Sequence, residues 1–373
     1  VGLLHIICLL TLASSVLAIE LSVPARFVRD IKAPGFADVI ERPSAMHYDR
    51  FHDEILVGDS GRNRILIFRS SGVFKFEFGL TGVLNAPRDV VVDPEGYIYI
   101  LGSTLEGPAF HKFDFDGTPV AAFQVPAELN GRPVELRHLA CDDQGLLHAL
   151  DHAGKRILVY DAVGEMVRSY PLGDDASLQS ENLAAFGSPS FHRGDLLVPI
   201  SNDGTVLRYG PDGAVKGHYG TFGSKPGHLT FPVAVESSTD GIVMVLDRSR
   251  YCVACYTEDG RFLGEFGGRG FRAGWFLGPY LLAVPEDDKV VVGQIYASRI
   301  QICALPRFIR DGALGSENGQ ASSPTEQVGH VAGGSREGSP VGGRMVDPSV
   351  GEFPSPEPRA HNARNVILSE VSQ

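Results

Sequence analysis

Residues 55–79 read ILVGDSGRNRILIFRSSGVFKFEFG and contain the pattern that decides the fold. An apolar run ends in Asp59-Ser60, and a second run spans Arg64 to Phe68. A third run, after Gly72, alternates apolar and polar side chains. Short apolar runs bounded by glycine and polar residues predict β-strands, and alternation predicts a strand with one buried face. This stretch therefore predicts three consecutive antiparallel strands joined by short turns.

The same pattern recurs along the chain at a nearly constant spacing. After Gly72 the turn glycine returns at intervals of 45, 47, 49 and 47 residues, at Gly117, Gly164, Gly213 and Gly260. A further apolar strand, such as Val90-Val-Val-Asp93, begins the units. Four short strands per unit of this length are typical of a β-propeller blade, which covers its faces only by stacking on neighbouring blades.

Six units are predicted, over residues 43–86, 87–132, 133–183, 184–231, 232–278 and 279–315. The sixth has only three strands of its own, and we expect Arg26-Phe-Val-Arg-Asp-Ile31 near the N-terminus to supply the fourth. Closing the ring in this way removes open sheet edges. The predicted fold class is all-β: a six-bladed β-propeller of four-stranded antiparallel blades, closed by an N-terminal strand, over residues 19–315.

The units resemble the NHL repeat, in which a strand ends in Asp-Ser, Arg-Ile-x-x-Phe follows, and a later strand ends in Phe-Gly. The first unit matches with Asp59-Ser60, Arg64-Ile65, Phe68 and Phe78-Gly79. The resemblance covers residues 25–315. It implies a scaffold that binds a protein or other macromolecular partner through one rim of the propeller. The alternative that it implies is a metal-assisted lyase or hydrolase acting in the central channel, since a few propellers of this kind are enzymes.

Two acid–base pairs recur at the same place in different units. Asp59 and Arg64, and again Asp151 and Arg156, stand five residues apart across the turn between the second and third strands. A carboxylate beside a guanidinium can form a charge-assisted pair and bind loop backbone. A catalytic site is normally built once rather than copied around a ring, so these pairs are predicted to be structural.

In NHL propellers the loops between second and third strands, and those leading into the next blade, share one rim around the channel mouth. Here these loops carry the candidate binding residues Arg62, Arg88, Arg137, His138, Arg248, Arg250, Arg269 and Arg272. Arginine makes bidentate contacts with carboxylates, so this set suits an anionic protein partner. The alternative is that the arginines are solvated or paired with local acids such as Asp89 and Asp247, because sequence does not give side-chain directions.

No metal, cofactor or catalytic residue is predicted. A zinc site needs three or four converging ligands, and only His138 of the many histidines lies near the start of a first strand. Cys252-Val-Ala-Cys255 lies inside a strand, where residues three apart point to opposite faces, so packed cysteines are expected rather than a redox motif. The disulfide state of Cys141, Cys252, Cys255 and Cys303 stays open.

The ends of the chain differ in composition from the repeats. Residues 1–18 are uncharged and apolar, with small residues before Ile19, which predicts a signal peptide and a secreted or periplasmic protein. An uncleaved membrane anchor is the alternative. Residues 316–373 are rich in Ser, Gly and Pro and are expected to form a disordered tail. No later segment has the length of a transmembrane helix, and the net charge of −12 argues against a nucleic-acid partner.

Overall fold

The computed structural model describes residues 23–35, 39–172, 185–285 and 288–317. Within these residues six four-stranded antiparallel sheets are present, and the predicted six-bladed β-propeller is confirmed. The predicted signal peptide (residues 1–18) lies outside the described residues. The same holds for all but the first two residues of the predicted tail.

The first strand of the chain, β1 (Arg26–Ile31), belongs to the last blade. Blade 1 contains, from the centre outward, β2 (Pro43–Asp49), β3 (Glu54–Asp59), β4 (Arg64–Arg69) and β5 (Phe74–Gly79). Blade 2 contains β6 (Asn85–Val92), β7 (Ile98–Thr104), β8 (Gly107–Phe113) and β9 (Pro119–Phe123). A small hairpin of β10 (Glu128–Leu129) and β11 (Arg132–Pro133) follows.

Blade 3 contains β12 (Leu136–Cys141), β13 (Leu147–Asp151), β14 (Arg156–Tyr160) and β15 (Met166–Pro171). Blade 4 contains β16 (Ser190–His192), β17 (Asp195–Ile200), β18 (Thr205–Tyr209) and β19 (Val215–Tyr219). Blade 5 contains β20 (Pro232–Ser237), β21 (Val243–Asp247), β22 (Cys252–Tyr256) and β23 (Phe262–Gly267). Blade 6 contains β24 (Pro279–Ala283), β25 (Lys289–Gln294), β26 (Arg299–Ala304) and β1.

The N-terminal strand closes the ring as expected. It pairs antiparallel with β26, with Phe27 opposite Cys303 and Ile31 opposite Ile300. The Nε of Arg299 on β26 donates to Asp30 Oδ1 on β1 at 2.7 Å. The two ends of the propeller are therefore joined by a sheet ladder and an ion pair.

The hydrophobic core lies between the blades rather than within them. One cluster combines Ile31 and Ile300 of blade 6 with Ile55 and Phe68 of blade 1, and five similar clusters fill the other blade interfaces. Each first strand contacts the first strands of both neighbouring blades. Stacking of this kind is how repeat units bury the surfaces that they cannot cover alone.

One helix was not predicted from the sequence. The helix α1 (Arg307–Glu317) follows β26 and packs against β23. Its Ile309 is fully buried in the cluster between blades 5 and 6. Pro306, just before the helix, is a favourable residue for a helix start. No helix in the described residues is both long and apolar enough to cross a membrane.

Candidate functional site

One face of the ring is formed by the loops between second and third strands and by the loops that lead into the next blade. Backbone hydrogen bonds join the two loop types: the N–H of Ser60 donates to Arg42, and that of Arg248 donates to Phe231, both at 3.0 Å. Because strand direction alternates within each blade, all other loops lie on the opposite side. We call the first surface the arginine face and the second the hairpin face.

The two faces differ in charge. Among the described residues, the loops of the arginine face hold the cations Lys32, Arg42, Arg62, Lys155, Lys225, Arg248, Arg250, Arg269 and Arg272 and the acids Glu41, Glu106, Glu135 and Asp203. The loops of the hairpin face hold the acids Asp53, Asp93, Glu95, Asp114, Asp116, Asp142, Asp143, Asp161, Glu165, Asp212, Asp240, Glu258, Asp259 and Asp288 and the cations Arg50, Arg193 and Arg261. Within the described loops, cations therefore predominate on the arginine face and carboxylates on the hairpin face.

Much of the acidity of the hairpin face has a local structural cause. In several hairpins the first aspartate of the turn accepts N–H groups from the residues two and four positions later. Asp142 Oδ1, for example, accepts from Gln144 at 3.0 Å and from Leu146 at 2.8 Å. Asp93, Asp114 and Asp161 do the same. These carboxylates stabilise turns, as aspartate commonly does.

Three of the predicted binding arginines have carboxylate partners in their own neighbourhood. The pairs are Arg62 with Glu41, Arg137 with Glu135 and Arg250 with Glu265, at nitrogen–oxygen distances of 3.0, 2.6 and 2.6 Å. The first two pairs are largely exposed, and such pairs are weak in water. Arg250 is different, because its side chain is only 11% exposed and also donates to the carbonyl of His228 at 2.8 Å. The Arg250 side chain is therefore largely buried and is held by partners within blade 5 and the loop that leads into it.

The remaining arginines, apart from Arg88, lie together around blades 5 and 6. We call this group the blade 5–6 patch: Arg248, Tyr251, Arg269, Phe271, Arg272 and Tyr296. Arg248 Nη2 donates to the hydroxyl of Tyr296 at 2.8 Å. The guanidinium of Arg269 lies 5.6 Å from the centre of the Tyr251 ring. Phe271 is 78% exposed. The patch therefore combines cations and aromatic rings on one surface.

The structure places Arg88 on β6, and Arg137 and His138 on β12, rather than in the loops where they were predicted. His138 is buried, and its Nδ1 lies 3.3 Å from Asp89 Oδ2. The same oxygen accepts the N–H of Leu139 at 2.9 Å. Asp89 thus links blade 2 to blade 3, while Arg88 beside it is exposed on the arginine face.

The repeated acid–base pairs form inside their blades. Arg64 Nε lies 3.2 Å from Asp59 Oδ2, and Arg156 Nε lies 2.7 Å from Asp151 Oδ2. Both carboxylates are fully buried. Asp151 also accepts the N–H of Glu135 at 2.8 Å, which fixes the loop entering blade 3. Each pair connects strands to a loop of the arginine face.

A cavity of about 410 Å³ occupies the central channel. The first strands of the blades and the hairpin-face loops that follow them form its wall, so it opens toward the hairpin face. Polar side chains from all six blades line it, among them His47, Arg50, Asp89, Ser190 and Glu236.

His47 and Glu236 occupy equivalent positions in two inner strands. His47 on β2 pairs with Leu56, and Glu236 on β20 pairs with Met244. Leu56 and Met244 each lie three residues before the aspartate that ends the second strand of their blade, Asp59 and Asp247 respectively. The sequence analysis did not single out either residue, although aligning the units on that aspartate would have placed both in the channel.

Burial changes the ionisation of both groups. It lowers the pKa of His47 from 6.5 to about 4, although Asp49 and Asp89 act in the opposite direction. It raises the pKa of Glu236 from 4.5 to about 8, against the opposing charge of Arg50. Desolvation disfavours the charged form of each group. The shifts favour the uncharged forms of these two side chains at neutral pH. The same wall also carries charged side chains, among them Asp142, Asp143, Arg193, Asp240 and Lys289.

Ser190 adds a third polar group to this wall. It is 8% exposed, and its Oγ has no hydrogen-bond partner within the described residues. Buried hydroxyls are usually hydrogen-bonded, so this is an unsatisfied polar group. The oxygen is itself enclosed by protein atoms and does not face the open channel.

The described residues contain no group of three or more His, Cys, Asp or Glu side chains placed to hold a metal. Cys141, Cys252, Cys255 and Cys303 are free thiols. Cys252 and Cys255 lie within β22, and burial raises the pKa of Cys255 well above its usual range.

No family model matches the chain, and no curated protein matches it. Among solved structures, a streptogramin B lyase superposes with a TM-score of 0.51 and 14% identity, covering 74% of this chain and 87% of the other. Selenomethionine-substituted virginiamycin B lyase from Staphylococcus aureus gives 0.51 and 9%, covering 74% and 99%. A protein of unknown function from Bacteroides thetaiotaomicron gives 0.56 and 12%, covering 75% and 73%. At these identities the likeness shows the β-propeller fold alone.

Proposed function

We propose that this chain is an exported interaction scaffold of the NHL type, which binds an acidic protein surface through the blade 5–6 patch. The observation that carries the proposal is the concentration of exposed arginine and aromatic side chains there, on a chain with a net charge of −12. Phe271 is 78% and Tyr296 68% exposed. Arginine and aromatic residues are enriched in protein–protein interfaces.

The arginines of the patch are suited to an external partner. Arg269 and Arg272 are exposed, and neither forms an ion pair with a carboxylate of the described residues. A carboxylate from a partner would therefore not displace an internal ion pair. The Arg248 side chain is oriented by its hydrogen bond to Tyr296, so it loses less conformational entropy when a partner binds.

Charge supports an acidic partner rather than a basic one. In the described loops, the arginine face gathers cations, whereas the hairpin face carries most of the acidic residues. Complementary charge increases association rates and discriminates against partners of like charge. Binding at an exposed arginine patch is expected to weaken as salt is raised, because solvent-exposed charges are screened.

The NHL assignment and export are parts of the same proposal. The first is supported by the recurring aspartate and arginine of the units, which occur as ion pairs in blades 1 and 3. Export is supported by the uncharged apolar sequence of residues 1–18.

Charge reversal tests the proposal. The variant Arg248→Glu/Arg269→Glu/Arg272→Glu should lose a partner that the wild-type protein captures from native extract. The matched control, Arg42→Glu/Arg62→Glu/Arg88→Glu, changes the same charge on the same face in blades 1 and 2 and should retain it. Equal capture by both folded variants would contradict the proposal. Loss of wild-type self-association in the patch variant, seen by sedimentation, would instead identify a second copy of the chain as the occupant.

The alternative is a metal-assisted lyase or hydrolase in the channel. It has the weaker support of the two, because the described residues present no cluster of metal ligands. Stoichiometric zinc or calcium in elemental analysis of the purified protein would favour it over the scaffold.

A further inference from the structure

A second cavity lies where blade 1 meets blade 2, and the proposed scaffold function does not use it. Its volume is about 560 Å³, within the range of roughly 300–1,000 Å³ that is typical of small-molecule pockets. Hairpin-face loops of both blades border it, so it lies on the side of the ring opposite the blade 5–6 patch. We call this cavity the blade 1–2 groove.

The wall that blade 1 contributes to the groove is a continuous apolar row. Ile67 pairs with Leu56 on one side and with Phe76 on the other, and residues paired in this way share one face of the sheet. Val92 and Ile98, which pair with each other, line the groove from blade 2. Leu56 and Ile67 are buried, whereas Phe76 is 39% exposed. The row therefore ends in open apolar surface.

The other blades show what normally covers this position. In every blade the pairing of the third and fourth strands has one register shift, and the pair next to that shift is equivalent from blade to blade. From blade 1 to blade 6 the pairs are Ile67–Phe76, Lys112–Ala121, Val159–Arg168, Arg208–Gly217, Cys255–Gly264 and Ile302–Arg29. Blades 2, 3, 4 and 6 thus have a lysine or an arginine in this pair.

Each of these cations connects its blade to the next one. Its side chain donates to a backbone carbonyl in the turn between the third and fourth strands of that blade. The bonds run from Lys112 to Ala162, from Arg168 to Pro211, from Arg208 to Glu258 and from Arg29 to Ser71, at 3.5, 2.9, 3.4 and 3.3 Å. Lysine and arginine can cover apolar surface with their stems while the charged head reaches a polar group.

Blades 1 and 5 have no cation in this pair. In blade 5 the helix α1 covers the position, since a methyl group placed on Gly264 would lie 2.6 Å from a ring carbon of Phe308. In blade 1, no described side chain donates to the carbonyl of Phe115 or Asp116 in the corresponding turn of blade 2. The blade 1–2 groove therefore lies where a cationic side chain joins the blades elsewhere in the ring.

The charges around the groove also favour a cation. Its charged or titratable lining residues are Asp49, His52, Glu54, Lys75, Glu95 and Asp116. Lys75 is paired with Glu54, and His52 Nδ1 lies 2.6 Å from Asp49 Oδ2. Neither Glu95 nor Asp116 forms an ion pair within the described residues. An anion would meet charge of its own sign at this rim, which disfavours binding.

We propose that the blade 1–2 groove binds a small organic cation with an apolar stem, of the alkylamine class. The stem packs on the apolar row of blade 1, and the ammonium group donates to the carbonyl of Phe115 beside the carboxylate of Asp116. The ring of Phe76, and that of Phe115, which is 78% exposed, can add cation–π attraction. The ligand thus joins blade 1 to blade 2 as Lys112 joins blade 2 to blade 3.

Three probes with the same stem test the contribution of the charged head. n-Hexylamine, n-hexanol and n-hexanoate are titrated against the full chain and followed by saturation-transfer NMR. Hexylamine should bind, and hexanol should bind roughly tenfold more weakly because its hydrogen bond is not charge-assisted. Hexanoate should not bind, because the rim of the groove is acidic.

A side chain of the protein itself can be made to occupy the groove. Phe76→Arg places a guanidinium at the position that Arg168 and Arg29 hold in blades 3 and 6, and this position is already partly exposed. It should weaken hexylamine binding by about tenfold or more, because the groove is then filled and like charges repel. The control Val120→Arg adds the same charge at an exposed position of β9 outside the groove and should bind hexylamine as the wild type does.

Three outcomes would overturn the proposal. One is that hexylamine does not bind the folded wild-type protein; if a capped lysine-rich hexapeptide binds in its place, the occupant is a protein segment. Another is that hexanol binds as tightly as hexylamine, which would make the groove an apolar site without a preference for cations. The third is that folded Phe76→Arg keeps the wild-type affinity for hexylamine. None of these outcomes bears on capture by the blade 5–6 patch, so the two proposals fail separately.

Discussion

Replacing Ile31 by alanine should destabilise the whole ring, because this residue of β1 packs between blade 6 and blade 1. Ile31 is 4% exposed and shares a cluster with Ile40, Phe68 and Ile300. The substitution opens a cavity where the last blade meets the first. Val28 on the same strand is 48% exposed and lies at a break in the pairing register. Val28→Ala is therefore a matched control.

The expected cost follows from the burial of the two side chains. Truncation of a buried isoleucine to alanine costs about 2 to 5 kcal/mol through lost transfer free energy and the cavity left behind. Surface substitutions usually change stability by less than about 0.5 kcal/mol. Domains have a total stability of about 5–15 kcal/mol, so Ile31→Ala should remove a large part of it while Val28→Ala should not.

Urea unfolding followed by far-ultraviolet circular dichroism and by fluorescence measures this difference. Trp275 is the single tryptophan, and its carbonyl accepts the Gln301 side-chain N–H on β26 at 2.9 Å. It therefore reports on the region next to the closing strand. We expect both signals of Ile31→Ala to shift together to lower urea. Midpoints equal to those of Val28→Ala would refute the role of β1 in holding the ring closed.

Three further outcomes are expected. Asp151→Ala should lower the free energy of unfolding, measured by thermal unfolding, by about 3–5 kcal/mol, because it leaves the buried Arg156 without its carboxylate. Asp143→Ala, at an exposed site, is the control, and an equal loss in both variants would count against this role. The native thiol of Cys255 should stay unreactive to Ellman's reagent until denaturant is added, and rapid native reaction would show that it is accessible. The pKa of Glu236 is higher in the folded protein than in the unfolded one, so its contribution to stability is present below about pH 4.5 and is lost as the pH rises toward 8. The melting temperature of Glu236→Gln, relative to that of wild type, should therefore rise as the pH increases from 5 to 8. A difference in melting temperature that stays the same over this pH range would contradict the raised pKa of Glu236.

The fold was predictable because its signals are local and repeated. The turn glycines and the alternation in Phe74–Gly79 are properties of neighbouring residues. Arg26–Ile31 was assigned to the sixth blade because that blade lacked a strand and a ring must close its edges. The helix Arg307–Glu317 escaped prediction because its Ile309 is buried by contacts between blades 5 and 6, which no local pattern reveals.

The candidate sites were less predictable because they depend on side-chain direction. Loop positions placed Arg250 on the arginine face, yet its partner Glu265 lies on β23, and only the fold brings them within 2.6 Å. His47 and Glu236 meet the same cavity because of their register with second strands. Their ionisation depends on burial in the channel, which is a property of the assembled ring.

Site-specific photo-crosslinking from position 271 tests the central claim most directly. Phe271 on the arginine face and Phe115 on the hairpin face are both 78% exposed, so a benzophenone amino acid can replace either with similar access to solvent. We predict that position 271 forms a cross-link to an acidic segment of a partner protein, that added salt reduces it, and that position 115 forms none. Absence of a cross-link at 271, or equal cross-linking from both positions, would contradict the assignment of the arginine face as the binding surface.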